Sequence, residues 1–494
     1  MSLPSTRRLQ APLALALTLL VAACASTRGL EPEGRPLNSD SLAASRSLAG
    51  TSDAGFPQRD WWKAFGDAQL DGLIGEALAG TPSLDAADAR VRQAIAQAGL
   101  ADAAGKPTLG ATALYSGVQI PETVARPPLG GDYLGVTLIG LQFSYSPDLW
   151  GGHRARTQAA LGQARAAEVD AQAARLMLSS NIARAYVALA QAHDAAEVAR
   201  ADEQRASQLL DLGRQRVKAG LDNQLQIRNA ETAVASAQQQ EQAAQQQVDA
   251  ARNAIAALLG QGPDRGLQIA KPALLSAPWP GVPAVVQSEL LGHRPDVVAA
   301  RWRVEAARHG IKASKAEFYP TVNLTALVGL AGGNLSDLFS SDALLASGGP
   351  AISLPIFDGG RLRNNLAKSD AEYDLAVANY NQALVGALRE VADALQGARS
   401  LDAQIASASR ARESAQAAWQ LATARYKAGL GTQLDVLAAQ RPLLQLEQQI
   451  AALRAQRLGT SIDLDRALGG GLEFAAPQSV AAQNTNDITQ APTP

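Results

Sequence analysis

Apolar positions recur at helical spacing along two unusually long stretches that contain no proline, His153–Lys218 and Arg361–Lys427. In the second the seam is regular. Leu366, Tyr373, Tyr380, Ala387, Ala394, Leu401, Ala408, Ala415 and Ala422 lie seven apart, and Val377, Leu384, Val391, Ala398 and Ile405 form a companion row. A sustained seven-residue repeat predicts helices that supercoil left-handedly, and alanine in the seam lets them approach closely. A continuous helix over either stretch would be about 100 Å long at roughly 1.5 Å per residue, a length that no compact domain needs. Each stretch ends in Lys-Ala-Gly-Leu and is followed by a second helical run, from about Asp222 to Leu259 and from beyond Gly429 to about Leu468. Glycine there accepts the left-handed conformation that terminates a helix, so each pair predicts a long helical hairpin. Pro442 should kink the last run, because its ring removes one backbone hydrogen bond.

Shorter segments alternate with period two. Leu109, Ala111, Ala113 and Tyr115 fall on one side of a segment starting at Thr108, and Thr137, Ile139, Leu141, Phe143 and Tyr145 on one side of the next. Val322, Leu324, Ala326, Val328 and Leu330 repeat the pattern, and a fourth segment ends in Leu354-Pro355-Ile356-Phe357-Asp358-Gly359-Gly360. Strands are expected at about 108–119, 133–146, 320–331 and 348–357. Each is close to the length of about ten residues that a tilted membrane strand requires.

The order of elements occurs twice. Arg216-Val217-Lys218-Ala219-Gly220-Leu221-Asp222-Asn223-Gln224-Leu225 returns 209 residues on as Arg425-Tyr426-Lys427-Ala428-Gly429-Leu430-Gly431-Thr432-Gln433-Leu434, with seven positions identical. An internally duplicated chain follows. The first repeat covers 58–263 with its hairpin at 153–259. A Pro-rich crossing linker spans 264–283, and the second repeat covers 284–470 with its hairpin at 361–468. Helices are also expected around Leu70–Leu78, over Ser83–Ala104 and over Pro283–Phe318. Trp61, Trp62 and Phe65 are expected to dock an arm of residues 24–57 onto the folded part, and 471–494 to form a disordered tail.

Composition sharpens this picture. Hydrophobic residues make up 47% of the chain but aromatics only 4%, so the apolar content is mostly alanine and leucine, which suits long packed helices. A formal net charge of −2 gives no reason to expect nucleic acid. At the N-terminus Arg7 and Arg8 precede an apolar stretch, Leu13–Ala23, and Val21-Ala22-Ala23-Cys24 follows the pattern of a bacterial lipobox. Residues 1–23 are therefore expected to be a lipoprotein signal peptide, with a covalent lipid on Cys24, the only cysteine in the chain. Acyl chains contribute about 0.8 kcal/mol per buried CH₂, so several would anchor the protein firmly. By resemblance to bacterial lipoproteins, Ala25 in place of Asp favours the outer membrane.

Four strands cannot close a barrel, and lipid does not tolerate an open sheet edge. Membrane strands would thus force oligomerisation, with twelve strands from three copies leaving more room for a pore than eight from two. The alternative is a small sheet in water, packed on the helices.

Several motifs together resemble the TolC-type outer membrane efflux factors in their NodT-like lipoprotein branch. They are Trp61-Trp62-Lys63-Ala64-Phe65-Gly66-Asp67, Asp148-Leu149-Trp150-Gly151-Gly152, Arg294-Pro295-Asp296-Val297, Ala316-Glu317-Phe318-Tyr319-Pro320, Pro355–Gly360 and Asp435-Val436-Leu437-Ala438-Ala439-Gln440. The resemblance implies a mainly α-helical fold with transmembrane β-strands. A homotrimer would form a 12-strand β-barrel in the outer membrane and a 12-helix coiled-coil α-barrel in the periplasm. It further implies a passive exit duct for drugs or other small molecules, one part of a tripartite system with a periplasmic membrane-fusion adaptor and an inner-membrane pump of the resistance-nodulation-division type. Type I protein secretion through the same architecture, or a lipid-anchored coiled-coil structural protein without a pore, are the competing readings.

By the same resemblance Lys218, Ala219, Gly220, Leu221, Lys427, Ala428, Gly429 and Leu430 would be the tips that touch the adaptor. Asp435 falls where relatives line the periplasmic aperture with a carboxylate ring, although the usual second Asp is Ala438 here. The alternative reading of Asp435 is a helix N-terminal charge favoured by the macrodipole. Tyr426 matches a tyrosine that latches the tip, whereas Gly431 stands where some members carry a latching Arg. The four histidines, His153, His193, His293 and His309, lie apart without metal-ligand spacing, and no catalytic constellation is present. Neither an enzyme nor a cofactor is expected.

Overall fold

The computed structural model describes residues 27–38, 42–43, 57–121, 123–124, 126, 131, 133–274 and 293–472. Cys24, the signal segment and residues 473–494 lie outside these. The fold is mainly helical with a few strands. A 3₁₀ turn, Trp61–Phe65, leads into α1 (Ala68–Ala79) and α2 (Pro82–Ala103), then β1 (Thr108–Gln119) and β2 (Tyr133–Tyr145). Helices α3 (Gly152–Lys218) and α4 (Gln224–Leu258) form the first hairpin, followed by the short α5 (Pro263–Leu267). Next come α6 (Pro295–Ala316), β3 (Thr321–Gly332) and β4 (Leu344–Ser353), and the second hairpin is α7 (Arg361–Lys427) and α8 (Gln433–Ala467). The long arms α3 and α7 have 67 residues each and the return arms α4 and α8 have 35 each. No helix among the described residues is long and apolar enough to cross a membrane.

Contacts divide the chain into two compact units. One comprises residues up to 36, 91–167 and 300–380 and holds the sheet. Its strands run in the order β1-β2-β3-β4, each antiparallel to the next. Register places Ala111 beside Leu141, Leu141 beside Val328 and Val328 beside Ala346. Directly paired residues share a face, so Leu109, Phe143, Ile139, Leu141, Val328, Leu330 and Leu344 gather on one, predominantly apolar side. The other side is mixed, with Thr112, Gln142 and Ser347 beside Leu114, Leu138, Leu327 and Leu345. β4 lies four residues ahead of the expected 348–357. Its sequence, Leu-Leu-Ala-Ser-Gly-Gly-Pro-Ala-Ile-Ser, has no alternation to read, and the ladder from Leu330–Leu344 to Thr321–Ser353 fixes it instead. Pro350 lacks an N–H and stands in this outermost strand, where a proline is tolerated. Beside the sheet, Leu30 of the arm packs on Ile311, Phe318, Leu362 and Leu366, and Gly34 N–H donates to Asp374 Oδ1 at 2.7 Å.

The second unit comprises 37–90, 168–299 and 381 onward. Trp61, Trp62 and Phe65 are buried in its main core with Leu70, Leu73, Ile74, Ile182 and Tyr186. They contact as edge-to-face rings, with centroids 5.8 Å and 6.2 Å apart, so their place is in the core of the body. Asp67 caps α1 by accepting from the Gln69 and Leu70 N–H groups, and it also receives the Tyr186 hydroxyl at 3.1 Å. The α7 seam is buried or half-buried throughout: Leu384, Ala387, Val391, Ala394 and Ala398 are covered and Leu401 and Ile405 partly so. The helix expected over 283–318 begins, among the described residues, at Pro295. That proline suits a first helical position, where no N–H is needed. Residues 283–292, and 275–283 of the crossing linker, lie outside the described set. α8 is helical on both sides of Pro442.

Candidate aperture at the hairpin tips

Each hairpin turns by the same device. Gly220 (φ 71°) and Gly429 (φ 75°) are left-handed. Gly220 N–H bonds to Val217 O and Leu221 N–H to Arg216 O; Gly429 and Leu430 bond in the same way to Tyr426 O and Arg425 O. This pair of bonds satisfies the last carbonyls of a helix. All eight expected tip residues, Lys218–Leu221 and Lys427–Leu430, are exposed. Sequence reading passed over Leu225 and Leu434, which are 65% and 73% exposed beside Leu221 and Leu430. Both belong to the repeated motif, which was the available signal.

The return helices also start alike. Asn223 caps α4 with Gln226 reaching back to the Asn223 N–H, and Thr432 caps α8 with Asp435 reaching back to the Thr432 N–H. Asp435 Oδ2 accepts from that N–H at 2.7 Å and from Thr432 Oγ1 at 2.9 Å. These two bonds hold the carboxyl below its ordinary pKa. Asp435 is exposed and is the positional counterpart of Gln226.

Tyr426 is different, since it is 1% exposed and packs with Leu209 and Val436. Its hydroxyl donates to Asp222 Oδ2 at 2.8 Å, so the end of α7 meets the turn of the first hairpin. Arg216 donates from Nε to the same oxygen at 2.8 Å and from a terminal nitrogen to Tyr426 O at 3.1 Å. Its guanidinium lies 4.6 Å from the centre of the Tyr426 ring, within cation–π range. Burial and the bond to Asp222 push the Tyr426 hydroxyl up to about 12. Burial works to raise Asp222, but the bonds from Arg216 and Tyr426 and the Arg216 charge outweigh it and hold the carboxyl low. The sequence supplies no Arg at position 431, and the cation on this carboxylate comes from the first hairpin. Arg216 and Asp222 were not singled out as site residues by sequence.

The model for the outer membrane efflux protein family matches residues 73–261 and 286–470. The chain belongs to the outer membrane efflux protein family. Among relatives, the fusaric acid resistance protein FusA of Burkholderia cepacia is 38% identical over 75% of this chain and 71% of its own length. The pyoverdine export outer membrane protein OpmQ of Pseudomonas aeruginosa is 33% identical over 92% of this chain and 95% of its own. The crystal structure of the outer membrane protein VceC of Vibrio cholerae superposes with a TM-score of 0.77 at 37% identity, covering 85% of this chain and all of VceC. This efflux protein is thus an outer membrane channel, and the Tyr426–Asp222–Arg216 cluster is a contact between the two hairpins of one chain.

Proposed function

We propose that three copies of this efflux protein close a 12-strand barrel in the outer membrane and a 12-helix barrel in the periplasm, forming a passive exit duct for small molecules. The observation that carries this is the sheet: four strands in sequential order, one face predominantly apolar and, among the described residues, β1 and β4 each paired on one side only. Lipid requires both of those edges to be paired, and further copies supply the partners. The equal helix lengths and the tip motif repeated 209 residues on support an internally duplicated subunit with repeats at 58–263 and 284–470.

The duct is closed at the tips, where Asp222 holds Tyr426 and Arg216. The tips Lys218–Leu221 and Lys427–Leu430 meet a periplasmic adaptor, with Leu225 and Leu434 widening the apolar contact, and the adaptor couples the duct to an inner-membrane pump of the resistance-nodulation-division type. Lipid on Cys24 anchors the arm, and no cofactor takes part. Relatives named for fusaric acid resistance and pyoverdine export favour small molecules over secreted proteins. Planar-bilayer recording tests the reading. Discrete conductance steps from a crosslinkable trimer are expected; a monomer that passes no current would leave only a lipid-anchored coiled coil.

A further inference from the structure

Where the sheet gives way to helix, the first unit contains a cavity of 390 Å³ lined by Trp150, Tyr319, Arg154, His309, Lys312 and Lys315. Trp150 follows β2 by five residues and Tyr319 precedes β3 by two. Their rings stack at 4.8 Å and 19°, and the Trp150 indole N–H donates to Pro320 O at 2.7 Å. Each ring remains half exposed. The polar edge of the indole is thereby satisfied internally while the face away from Tyr319 stays open, which suits an aromatic side chain at the level of lipid headgroups.

Every charged or ionisable residue of the lining other than Tyr319 is basic. His309, Lys312 and Lys315 recur every three residues on α6, and Arg154 sits in the first turn of α3. Among the described residues no ion pair or side-chain hydrogen bond engages any of the four, and the lining contains no Asp or Glu. The acidic groups acting nearby are Glu305 on His309 and the buried Asp370 on Lys315. Asp148 spends its carboxylate on the His153 and Arg154 N–H groups at the start of α3. His309 is held below its ordinary pKa by burial and then by Lys312 and Arg308, so the fixed positive charge of the lining is carried by Arg154, Lys312 and Lys315. A cation in the first turn of α3 also opposes the helix dipole. Four cationic or ionisable groups around an aromatic platform, without internal partners, match an anion supplied from outside.

We propose that this cavity binds the phosphate of an anionic phospholipid whose acyl chains lie along the apolar face of the sheet. The proposal rests on the reading that the sheet lies in the bilayer, which makes the strand-to-helix boundary a headgroup level. Basic clusters at such levels recognise anionic headgroups.

Native mass spectrometry of the full-length detergent-purified protein, titrated with phosphatidylglycerol or phosphatidylcholine, tests it. Phosphatidylglycerol is expected to bind at least tenfold more tightly, with the preference lost in the R154Q/K312Q/K315Q variant. K312Q alone changes one exposed side chain and should lower the preference several-fold, so the test survives if the triple variant misfolds. Equal binding of the two lipids, or an undiminished preference in both variants, would overturn the proposal. Full displacement by millimolar inorganic phosphate would make it a free-phosphate site and overturn the lipid assignment. Conductance of the unmodified protein, measured in parallel, separates the two readings: steps with no lipid preference sink the headgroup site and leave the duct.

Discussion

The Tyr426 hydroxyl donates to Asp222 Oδ2 at 2.8 Å across 204 residues of sequence, and Arg216 shares the same oxygen. A hydrogen bond to a charged group is worth about 1.5–3 kcal/mol, enough to shift a two-state opening equilibrium by roughly tenfold or more. Tyr426→Phe keeps the ring and its packing while removing the donor. Its channels are expected to open about ten times more often in bilayer recordings. Asp222→Asn should do at least as much, because it also discharges the Arg216 partner. An unaltered open probability in both would mean that the contact does not govern opening.

The same cluster fixes a pH profile. Asp222 is held below the ordinary carboxylate value, so its contribution to this contact is complete above about pH 4 and is lost as pH falls through the depressed value. Tyr426 is pushed up to about 12, so its contribution is complete below its ordinary value near 10 and is lost as pH rises through about 12. Closure by this contact should therefore be flat across neutral pH and fail in strong acid and strong base. Conductance titration checks this; a midpoint near pH 6 or 7 would point to another group.

Seven identical positions made the repeated tip visible, yet the cross-hairpin contact is built from positions that differ. Val217 corresponds to Tyr426 and Asp222 to Gly431, so only the second hairpin offers the donor and only the first the acceptor. Local patterns reveal a turn, because Lys-Ala-Gly-Leu states its own geometry. A bond spanning 204 residues leaves no periodicity to read. The sheet divides in the same way: β1, β2 and β3 alternate and were legible, whereas β4 takes its position from its ladder with β3. The α7 seam was legible because its burial follows the heptad directly. The Thr432–Asp435 cap was also readable, as a hydroxyl followed three residues later by a carboxylate.

That cap bears on Asp435. Its Oδ2 serves Thr432 while Oδ1 has no bond among the described residues, so capping and a pore-lining charge are compatible roles. Thr432→Ala should cost about 1 kcal/mol of helix-start stability and leave cation preference unchanged. Asp435→Ala should also weaken the helix start and in addition lower cation preference and divalent block, as loss of a charged ring does. Reversal-potential measurements in a salt gradient distinguish them. If the two variants shift selectivity alike, the carboxylate is a cap only.

The exposed leucines make a separate demand. Leu221, Leu225, Leu430 and Leu434 are each at least 64% exposed, two beside each turn, and none is needed to form the turn itself, which rests on backbone bonds and left-handed glycines. Apolar side chains grouped at an exposed end signal a partner surface, and a partner's helical hairpin would find small residues and leucine there. Leu221→Asp with Leu430→Asp should leave conductance and thermal stability within the range of surface substitutions, about 0.5 kcal/mol. The same variant should lower binding of the purified periplasmic adaptor at least tenfold and abolish efflux in cells. Gly220→Ala and Gly429→Ala should act differently, since a Cβ strains the left-handed backbone by about 1 kcal/mol or more and loosens the turn as well as the contact. Adaptor affinity measured by interferometry on immobilised channel decides it: normal binding by the aspartate variant would move the docking surface away from the tips.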